Sequence, residues 1–246
     1  MRLDQALVDL KLAESREKAK RSILAGQVRV NGQQAKKPSD AVAAEDTITV
    51  DAPEKYVSRG GHKLEHALNE FKLDVNGLTA IDLGASTGGF TDCLLQRGVK
   101  RVYAVDVGHG QLAWKLRRDP RVVVMEKTNA RALKPDSFRK PFTGGDIIVI
   151  DCSFISLRKI LPAALGLLQP SGKIVALVKP QFEAGKAEAD KGAGVITDPA
   201  VHARVLEELR AFVSSQTTLK WSGQVESPLL GPAGNKEFLV LLEKAA

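Results

Sequence analysis

The chain has 246 residues, of which 43% are hydrophobic and 26% charged, a balance typical of a globular protein that buries a sizeable core. This length allows one large domain and one small domain. The net charge of +7 favours a polyanionic partner, the alternative being a basic surface that serves solubility alone. The two cysteines, Cys93 and Cys152, have neither metal-site spacing nor a disulfide framework, so they indicate a reducing compartment.

No uninterrupted apolar stretch approaches the ~20 residues that cross a bilayer. Residues 1–5 lack the apolar core of a signal peptide. The four histidines lack the spacing of a metal site. We therefore expect a cytoplasmic protein with no membrane partner and no metal, and the sequence carries no signal for its oligomeric state.

Residues 1–52 are predicted to form a small α+β domain with a thin core. The expected elements are helices at 4–12 and 16–25 and strands at 28–30 and 47–50. Ser15 is a suitable N-cap for the second helix and Gly26 a suitable end, because a serine hydroxyl accepts from the first turn and glycine adopts the left-handed conformation. Asn31-Gly32 is typical of a hairpin turn.

Positive charge is concentrated at the start of the chain. The first 37 residues contain nine Lys or Arg and four Asp or Glu, so five of the seven net charges lie there. Such a surface binds phosphates without reading base sequence. Because no aromatic residue precedes Tyr56, RNA shape is a more suitable target than stacked bases, and a solvated charged helix is the alternative. The candidate RNA-binding residues are Arg2, Arg16, Lys18, Lys20, Arg21, Arg29, Lys36 and, in the next segment, Arg59.

This N-terminal stretch resembles the S4 RNA-binding domain, a fold shared by a ribosomal protein, pseudouridine synthases and tyrosyl-tRNA synthetases. The resemblance covers nearly all of residues 1–52 and implies that this domain binds RNA. The residues that carry it are Arg2-Leu3-Asp4, Leu7, Ser15-Arg16, Ala19, Ile23, Gly26, Val28, Val30 and Asn31-Gly32.

Residues 53–61 are predicted to be a linker, because Pro53, Gly60 and Gly61 fall within them. In residues 62–246, apolar strands alternate with helical segments, which predicts an α/β fold with a mostly parallel, doubly wound sheet. The expected strands are at 79–83, 101–105, 121–125, 146–150, 173–178 and 237–242. The expected helices are one that contains Leu64, Ala67, Leu68 and Phe71, and others at 88–97, 110–118, 155–168 and 198–215.

A glycine-rich segment, Asp82-Leu-Gly-Ala-Ser-Thr-Gly-Gly-Phe90, lies between a predicted strand and a predicted helix. Glycines at such a turn let bare backbone approach a ligand, and the helix N-terminus presents free N–H groups to it. Asp106 ends the next strand, where a carboxylate suits the hydroxyls of a ribose. We therefore expect a cofactor that contains a nucleoside. A dinucleotide would require glycine in place of Ser86, and a tight turn without a ligand is the other alternative.

The same segment resembles the S-adenosylmethionine loop of Rossmann-type methyltransferases, through its Asp-x-Gly-x-x-x-Gly form and the phenylalanine that follows. The resemblance implies that S-adenosylmethionine is the cofactor. It also implies that Gly84 and Gly88 make room for the amino acid moiety and that Asp82 faces its ammonium group. The candidate cofactor-binding residues are Asp82, Gly84, Ala85, Ser86, Thr87, Gly88, Gly89, Phe90, Asp106 and Asn129.

Polar residues also follow two later strands. Asp151 follows the apolar run 147–150, and Lys179 follows 174–178. Because ligands of an open parallel sheet bind beyond the carboxyl ends of its strands, both side chains are expected to face one cleft. Asp151 has an alternative role as a helix cap. Lys179, between an apolar strand and a proline, has no such simple structural explanation.

The whole chain resembles the TlyA, or hemolysin A, family of ribosomal RNA methyltransferases, in which an S4 domain is joined to an FtsJ-like, Rossmann-like methyltransferase domain. The resemblance implies a Lys-Asp-Lys-Glu tetrad at Lys63, Asp151, Lys179 and Glu237. It implies S-adenosylmethionine-dependent 2′-O-methylation of cytidine in 16S rRNA, 23S rRNA or both, with Lys179 as base or as the group that steers the hydroxyl. The segments that carry it are 56–64, 82–92, 151–157, 179–183 and 234–237.

Three other functions fit the sequence less well. A non-catalytic RNA-binding or ribosome-assembly factor would have no need of the tetrad. A membrane-active hemolysin would need a signal peptide, a membrane span or a long amphipathic helix. An oxidoreductase would need the dinucleotide glycine pattern and has no use for an RNA-binding arm. Taken alone, Lys63 and Glu237 are equally consistent with surface ion pairs.

Overall fold

The computed structural model describes residues 1–51, 54–185, 188 and 192–244. It divides into two compact units, Met1–Lys55 and Tyr56–Ala246. Residues 52 and 53, at the boundary between the predicted first domain and the predicted linker, lie outside the described residues. The division into an RNA-binding domain, a linker and a methyltransferase domain stays a prediction.

The N-terminal unit packs two helices and a small sheet around one apolar cluster. Its elements are α1 (Leu3–Asp9), α2 (Arg16–Leu24), β1 (Val28–Val30), β2 (Gln33–Gln34) and β3 (Ile48–Val50), and the antiparallel sheet has the order β2-β1-β3. Leu3, Leu7 and Ile23 are fully buried in this cluster. As predicted, the Ser15 hydroxyl accepts from the first turn of α2. Helix α1 ends before its predicted limit, because Lys11 adopts a left-handed conformation with φ 58°.

The C-terminal unit is built on a seven-stranded sheet. Its strands are β4 (Thr79–Leu83), β5 (Arg101–Val105), β6 (Val122–Met125), β7 (Gly145–Ile150), β8 (Leu168–Val178), β9 (Leu219–Glu226) and β10 (Phe238–Lys244). Its α-helices are α3 (Gly60–Glu70), α4 (Gly89–Gln96), α5 (Trp114–Arg117), α6 (Leu161–Leu167), α7 (Pro180–Glu183) and α8 (Pro199–Gln216), and its 3₁₀ helices are Ala130–Ala132, Pro135–Ser137 and Leu157–Lys159.

The sheet order is β6-β5-β4-β7-β8-β10-β9. The first five strands are parallel, and β10 and β9 are antiparallel to their neighbours. Successive residues of β7 enter opposite cores: Ile148 packs with helices α6 and α8, and Val149 packs with α3 and α4. The continuous apolar run in β7 therefore reflects burial on both faces. The predicted doubly wound α/β fold is confirmed.

Several elements differ from the prediction: β8 begins at Leu168 instead of residue 173, and helix α7 was not predicted. Residues 110–118 form only the short helix α5, because Gly110 has φ 75° and Ala113 is extended. The predicted helix at 155–168 is a 3₁₀ turn at Leu157–Lys159 followed by α6. Strand β9 was not predicted, since its alternation of half-buried and exposed residues belongs to an edge strand with one covered face.

Candidate active site

The glycine-rich loop connects β4 to α4, as predicted. Gly84 has φ 89° and Gly88 has φ 99°, a region that side chains rarely adopt. A Cβ atom on Gly84 would lie 2.6 Å from the backbone oxygen of Asp151. A Cβ on Gly88 would meet the side chains of Leu112 and Leu116. The loop therefore requires bare backbone at both positions, and it lies against the carboxyl end of β7.

Gly84→Ala is expected to weaken binding of S-adenosylmethionine on the order of tenfold or more. The new methyl group forces a positive φ on alanine, which costs about 1–2 kcal/mol, and it also pushes the loop away from Asp151. Isothermal titration of wild type and variant would measure the loss. Gly77→Ala is the matched control, because Gly77 also has a positive φ but has open space around its Cβ position. Equal affinities for wild type and Gly84→Ala would contradict the assignment of this loop.

Two adjoining cavities lie on either side of the loop. The first has a volume of about 410 Å³ and the second about 490 Å³. Both are lined by Gly84, Ser86, Asp151 and Ser153, so these four residues form their common wall. Of the predicted cofactor residues, the first cavity also contains Ala85, Thr87, Gly89 and Phe90, and the second contains Asp106 and Asn129.

Asp106 shapes the second cavity at the end of β5. Its two carboxylate oxygens accept from the backbone N–H groups of Ser86, at 2.8 Å, and Gly108, at 2.6 Å. A carboxylate has about four acceptor positions, so two bonds leave capacity for the hydroxyls of a ligand. Asn129 caps a 3₁₀ helix, where its side-chain oxygen accepts from the N–H of Arg131. Its amide group remains part of the cavity lining.

Asp82 lies elsewhere than predicted. It is fully buried in β4 and lines neither cavity, so it does not face the amino acid moiety of a ligand. The hydroxyl of Thr91 donates to its Oδ2 atom at 2.7 Å. Within the described residues, Oδ1 has no hydrogen-bond partner. This burial raises the pKa of Asp82 to about 7. Asp82 is buried because it lies in a central parallel strand, whose residues are covered on both faces.

Asp82→Asn is expected to stabilise the protein above pH 7 and to have little effect near pH 4. The unfolded chain loses the Asp82 proton near pH 4, whereas the folded protein keeps it to about pH 7. Folding therefore takes up a proton in this range, and stability falls as pH rises through it. Asparagine has no proton to lose, so the variant escapes this fall in stability. The expected gain in stability is part of the about 4 kcal/mol that corresponds to three pKa units.

Urea unfolding of wild type and Asp82→Asn at several values between pH 4 and 8 would test this expectation. Both tryptophans, Trp114 and Trp221, lie in the C-terminal unit, so their fluorescence reports on that unit alone. Thr79→Ser, at the start of the same strand, controls for a conservative change in β4. Parallel pH profiles for wild type and Asp82→Asn would contradict the raised pKa.

Asp151 and Lys179 lie together, as their places in the sequence predicted. Strands β7 and β8 are parallel neighbours, so the residues after them emerge at the same sheet edge. The Lys179 Nζ atom lies 2.6 Å from Asp151 Oδ1 and donates to Ser153 Oγ at 2.8 Å. Lys179 is 9% exposed, so a nearly buried amine is held between a carboxylate and a hydroxyl.

Lys63 and Glu237 form a second ion pair in the lining of the first cavity. Lys63 lies in α3, and Glu237 directly precedes β10. Both side chains are buried, with 7% and 1% of their surfaces exposed. The predicted tetrad is thus present as two ion pairs around one cavity. Buried charges of this kind require pairing, and they set the electrostatic potential inside the cavity.

Residues 56–59, within the predicted linker, pack against the C-terminal unit and contribute to this site. Tyr56 is buried, and a Cβ atom on Gly61 would overlap its ring. The backbone N–H of Val57 donates to Asp92 Oδ2 at 2.9 Å, which ties the segment to α4. Helix α3 then begins at Gly60, inside the predicted linker. Ser58 and Arg59 line the first cavity. The unusual Tyr-Val-Ser-Arg-Gly-Gly composition was the available signal for this role.

Comparison with known proteins agrees with this geometry. Residues 56–244 match the family of FtsJ-like methyltransferases, and residues 1–48 match the S4 domain. The chain belongs to the FtsJ-like methyltransferase family. The resemblance inferred from the sequence is confirmed.

Two curated proteins and one solved structure illustrate how far the similarity extends. The Mycobacterium tuberculosis protein named 16S/23S rRNA (cytidine-2′-O)-methyltransferase TlyA is 48% identical over 98% of this chain and 89% of its own. Hemolysin A of Brachyspira hyodysenteriae is 42% identical over 97% of this chain and 98% of its own. A structure from Streptococcus thermophilus, assigned as a hemolysin, is 45% identical, has a TM-score of 0.75 and covers 100% of this chain and 88% of its own.

In this FtsJ-like methyltransferase, acidic partners hold most of the predicted RNA-binding cations of the N-terminal unit. Arg2 and Arg16 both bind the buried carboxylate of Asp4, each at 3.0 Å. The hydrogen bond from Arg2 is the main cause that lowers the pKa of Asp4 to about 2. The Arg16 guanidinium group, in α2, therefore also ties that helix to Asp4 in α1.

The other candidate cations differ in how far they are already paired. Lys18 pairs with Glu14, Arg21 with Glu17, and Arg29 with Asp51 at 2.9 Å. Within the described ranges, Lys20 and Lys36 have no ion pair, which makes their ammonium groups directly available to phosphate.

The described part of this FtsJ-like methyltransferase contains no group of three or more His, Cys, Asp or Glu that could hold a metal ion. Among the helices in the same ranges, none is both long enough and apolar enough to span a membrane.

Proposed function

We propose that this protein transfers the methyl group of S-adenosylmethionine to the ribose 2′-oxygen of a cytidine in 16S rRNA, 23S rRNA or both. The observation that carries the proposal is the position of the Lys179–Asp151 pair in the wall of a cavity that begins at the glycine loop. Membership of the FtsJ-like methyltransferase family supports the type of reaction. The name of the M. tuberculosis relative supports the acceptor.

The residues around the two cavities fit S-adenosylmethionine. Gly84 presents bare backbone to both cavities. Gly88 lines neither cavity, and its missing side chain makes room for Leu112 and Leu116 instead of the predicted amino acid moiety. The Asp106 carboxylate suits ribose hydroxyls, and the cavity volumes lie within the usual range for small-molecule sites. When bound, S-adenosylmethionine would supply an electrophilic methyl group on a positively charged sulfur, so that in-line attack by the ribose oxygen forms an O–C bond while the C–S bond breaks and the neutral thioether leaves.

Lys179 is proposed to take the proton of the ribose hydroxyl. Such a hydroxyl is a poor nucleophile at neutral pH, so a base must remove its proton as the oxygen attacks. The proton then resides on the Lys179 amine, where the carboxylate of Asp151, 2.6 Å away, stabilises the ammonium ion until solvent takes the proton. Lys63 and Glu237 fix the charge distribution in the lining of the same cavity.

The N-terminal unit is proposed to hold the ribosomal RNA. Its match to the S4 domain and its concentration of positive charge support phosphate contacts. Arg59 is exposed and lines the first cavity, so it is suited to a phosphate next to the target nucleotide. Within this proposal, residues 1–52 bind RNA, residues 62–246 carry out catalysis, and the work takes place in the cytoplasm, where ribosomal subunits are.

The test is methyl transfer from labelled S-adenosylmethionine to 30S and 50S subunits prepared without this modification. Mass spectrometry of nuclease fragments would then locate the modified nucleotide and distinguish ribose from base methylation. The expected result is a 2′-O-methylcytidine in one or both subunits. Methylation of a base would overturn the proposed chemistry. Binding of S-adenosylmethionine without transfer to either subunit would favour a non-catalytic assembly factor.

A further inference from the structure

The loop between β7 and the 3₁₀ helix at Leu157–Lys159 carries a contact that the tetrad does not include. The hydroxyl of Ser153 accepts a hydrogen bond from Lys179 Nζ at 2.8 Å. Ser153 lines both cavities, next to Gly84 and Asp151. It therefore contacts the amine at the junction of the two cavities.

This loop is anchored at both ends. At its start, the N–H of Asp151 donates to the carbonyl of Leu83 at 2.9 Å. At its end, the nearly buried carboxylate of Glu183 accepts from the Ser156 hydroxyl and from the Leu157 N–H, both at 2.6 Å. Glu183 is in α7, four residues after Lys179. The segment that carries the amine thus also fixes the loop that carries Ser153.

The loop holds a conformation that it would not adopt freely. Phe154, the residue after Ser153, has φ 63° and is 90% exposed, so burial of its own side chain does not stabilise this backbone. A positive φ on such a bulky residue persists only where surrounding contacts impose it. The contacts from Leu83 and Glu183 supply that constraint, which keeps the Ser153 hydroxyl directed at the amine.

We propose that Ser153 is a positioning residue for Lys179 and that Glu183 acts through the loop to keep Ser153 in place. An amine that acts as a base has two N–H groups and one lone pair. Because one N–H group is donated to Ser153 and Asp151 Oδ1 lies 2.6 Å from Nζ, few orientations are open to the amine, and the lone pair can face the proton of the acceptor hydroxyl. Without Ser153 the amine can rotate, and fewer of its orientations are productive. This inference rests on the proposed function for its kinetic consequence, but not for the contact itself.

Ser153→Ala is expected to lower the single-turnover rate of methyl transfer about 2- to 10-fold, the range for loss of an ordinary hydrogen bond. Ser153→Thr keeps the hydroxyl and should restore the rate. Ser214→Ala, an exposed serine on α8, is the control for the same chemical change.

Glu183→Gln provides the second variant, since it keeps the volume but loses one acceptor. Its rate should fall in the same direction, and Ser153→Ala combined with Glu183→Gln should lose no more than the larger single effect. Multiplicative losses in the double variant would overturn the link between Glu183 and Ser153. An unchanged rate in Ser153→Ala, or no rescue by Ser153→Thr, would overturn the positioning role.

A second readout separates this inference from the proposed function. Acetic anhydride labels free amines, and peptide mass spectrometry gives the rate at Lys179 relative to the exposed Lys20. Lys179 should be acetylated faster in Ser153→Ala than in wild type, because its amine has lost one restraint. In Ser214→Ala the acetylation rate of Lys179 should equal that of wild type. Equal labelling overturns the inference even if wild type methylates ribose. Faster labelling together with no methyl transfer by wild type supports the inference and rejects the proposed function.

Discussion

Replacement of Lys179 by methionine is expected to lower the rate of methyl transfer by about 10²–10⁴, the usual contribution of a positioned acid or base. Methionine has nearly the same length and apolar stem, so it fills the same volume and removes only the amine. Affinity for S-adenosylmethionine should be largely retained, because the glycine loop and Asp106 are unchanged. The measurement is single-turnover transfer to ribosomal subunits, together with calorimetric titration of the cofactor.

Lys179→Arg distinguishes a base from a positive charge. Arginine can keep an ion pair with Asp151, but its guanidinium group stays protonated and cannot accept the hydroxyl proton. We therefore expect Lys179→Arg to be about as inactive as Lys179→Met. Full activity of the arginine variant would show that the charge alone is needed and would reject the base. Lys173→Met is the matched control, because Lys173 is on the same strand and pairs with Glu243 at 2.9 Å, away from both cavities.

The part of the site that follows from sheet geometry could be predicted from the sequence. Continuous apolar runs identified the buried parallel strands, and polar residues directly after them had to meet at one edge. Asp151, Lys179 and Asp106 were placed in this way, and each lines one of the cavities. Asp82 was misplaced by the resemblance to the S-adenosylmethionine loop, because it lies within a strand, where both faces are covered.

The remaining residues depend on contacts that periodicity does not encode. Lys63 and Glu237 are 174 positions apart, and each is compatible with an ordinary surface ion pair when taken alone. Only the family resemblance named them as members of one site. Ser153 contacts Lys179 because a loop residue with positive φ turns the chain there. The direction of a loop side chain depends on such local conformations and on tertiary anchors, neither of which shows in a single sequence.

Removal of one charge from the buried pair of Lys63 and Glu237 is expected to destabilise the C-terminal unit by about 3–5 kcal/mol, because the other charge is left buried without a partner. Lys63→Met and Glu237→Gln are the two single variants, and both keep side-chain volume. Urea unfolding followed by fluorescence of Trp114 and Trp221 would measure the change in that unit. The double variant should recover most of the lost stability, because it leaves no unpaired charge.

The neighbouring pair of Lys236 and Glu226 is the control for this cycle. Its atoms lie 3.1 Å apart, but each side chain is 51% exposed, so the coupling energy should not exceed about 1 kcal/mol. If the coupling energy between Lys63 and Glu237 also did not exceed about 1 kcal/mol, that result would contradict the burial of their charges.

If the double variant of Lys63 and Glu237 regained stability but not methyl transfer, the buried pair would be assigned to catalysis. A buried ion pair is rarely more stable than apolar side chains of the same volume, so its persistence here requires another reason. Its position in the lining of the cavity next to Lys179 supplies one, because charges in a low-dielectric wall act strongly on a proton transfer inside it. If the double variant regained both stability and activity, Lys63 and Glu237 would be structural, and catalysis would rest on Lys179 and Asp151 alone.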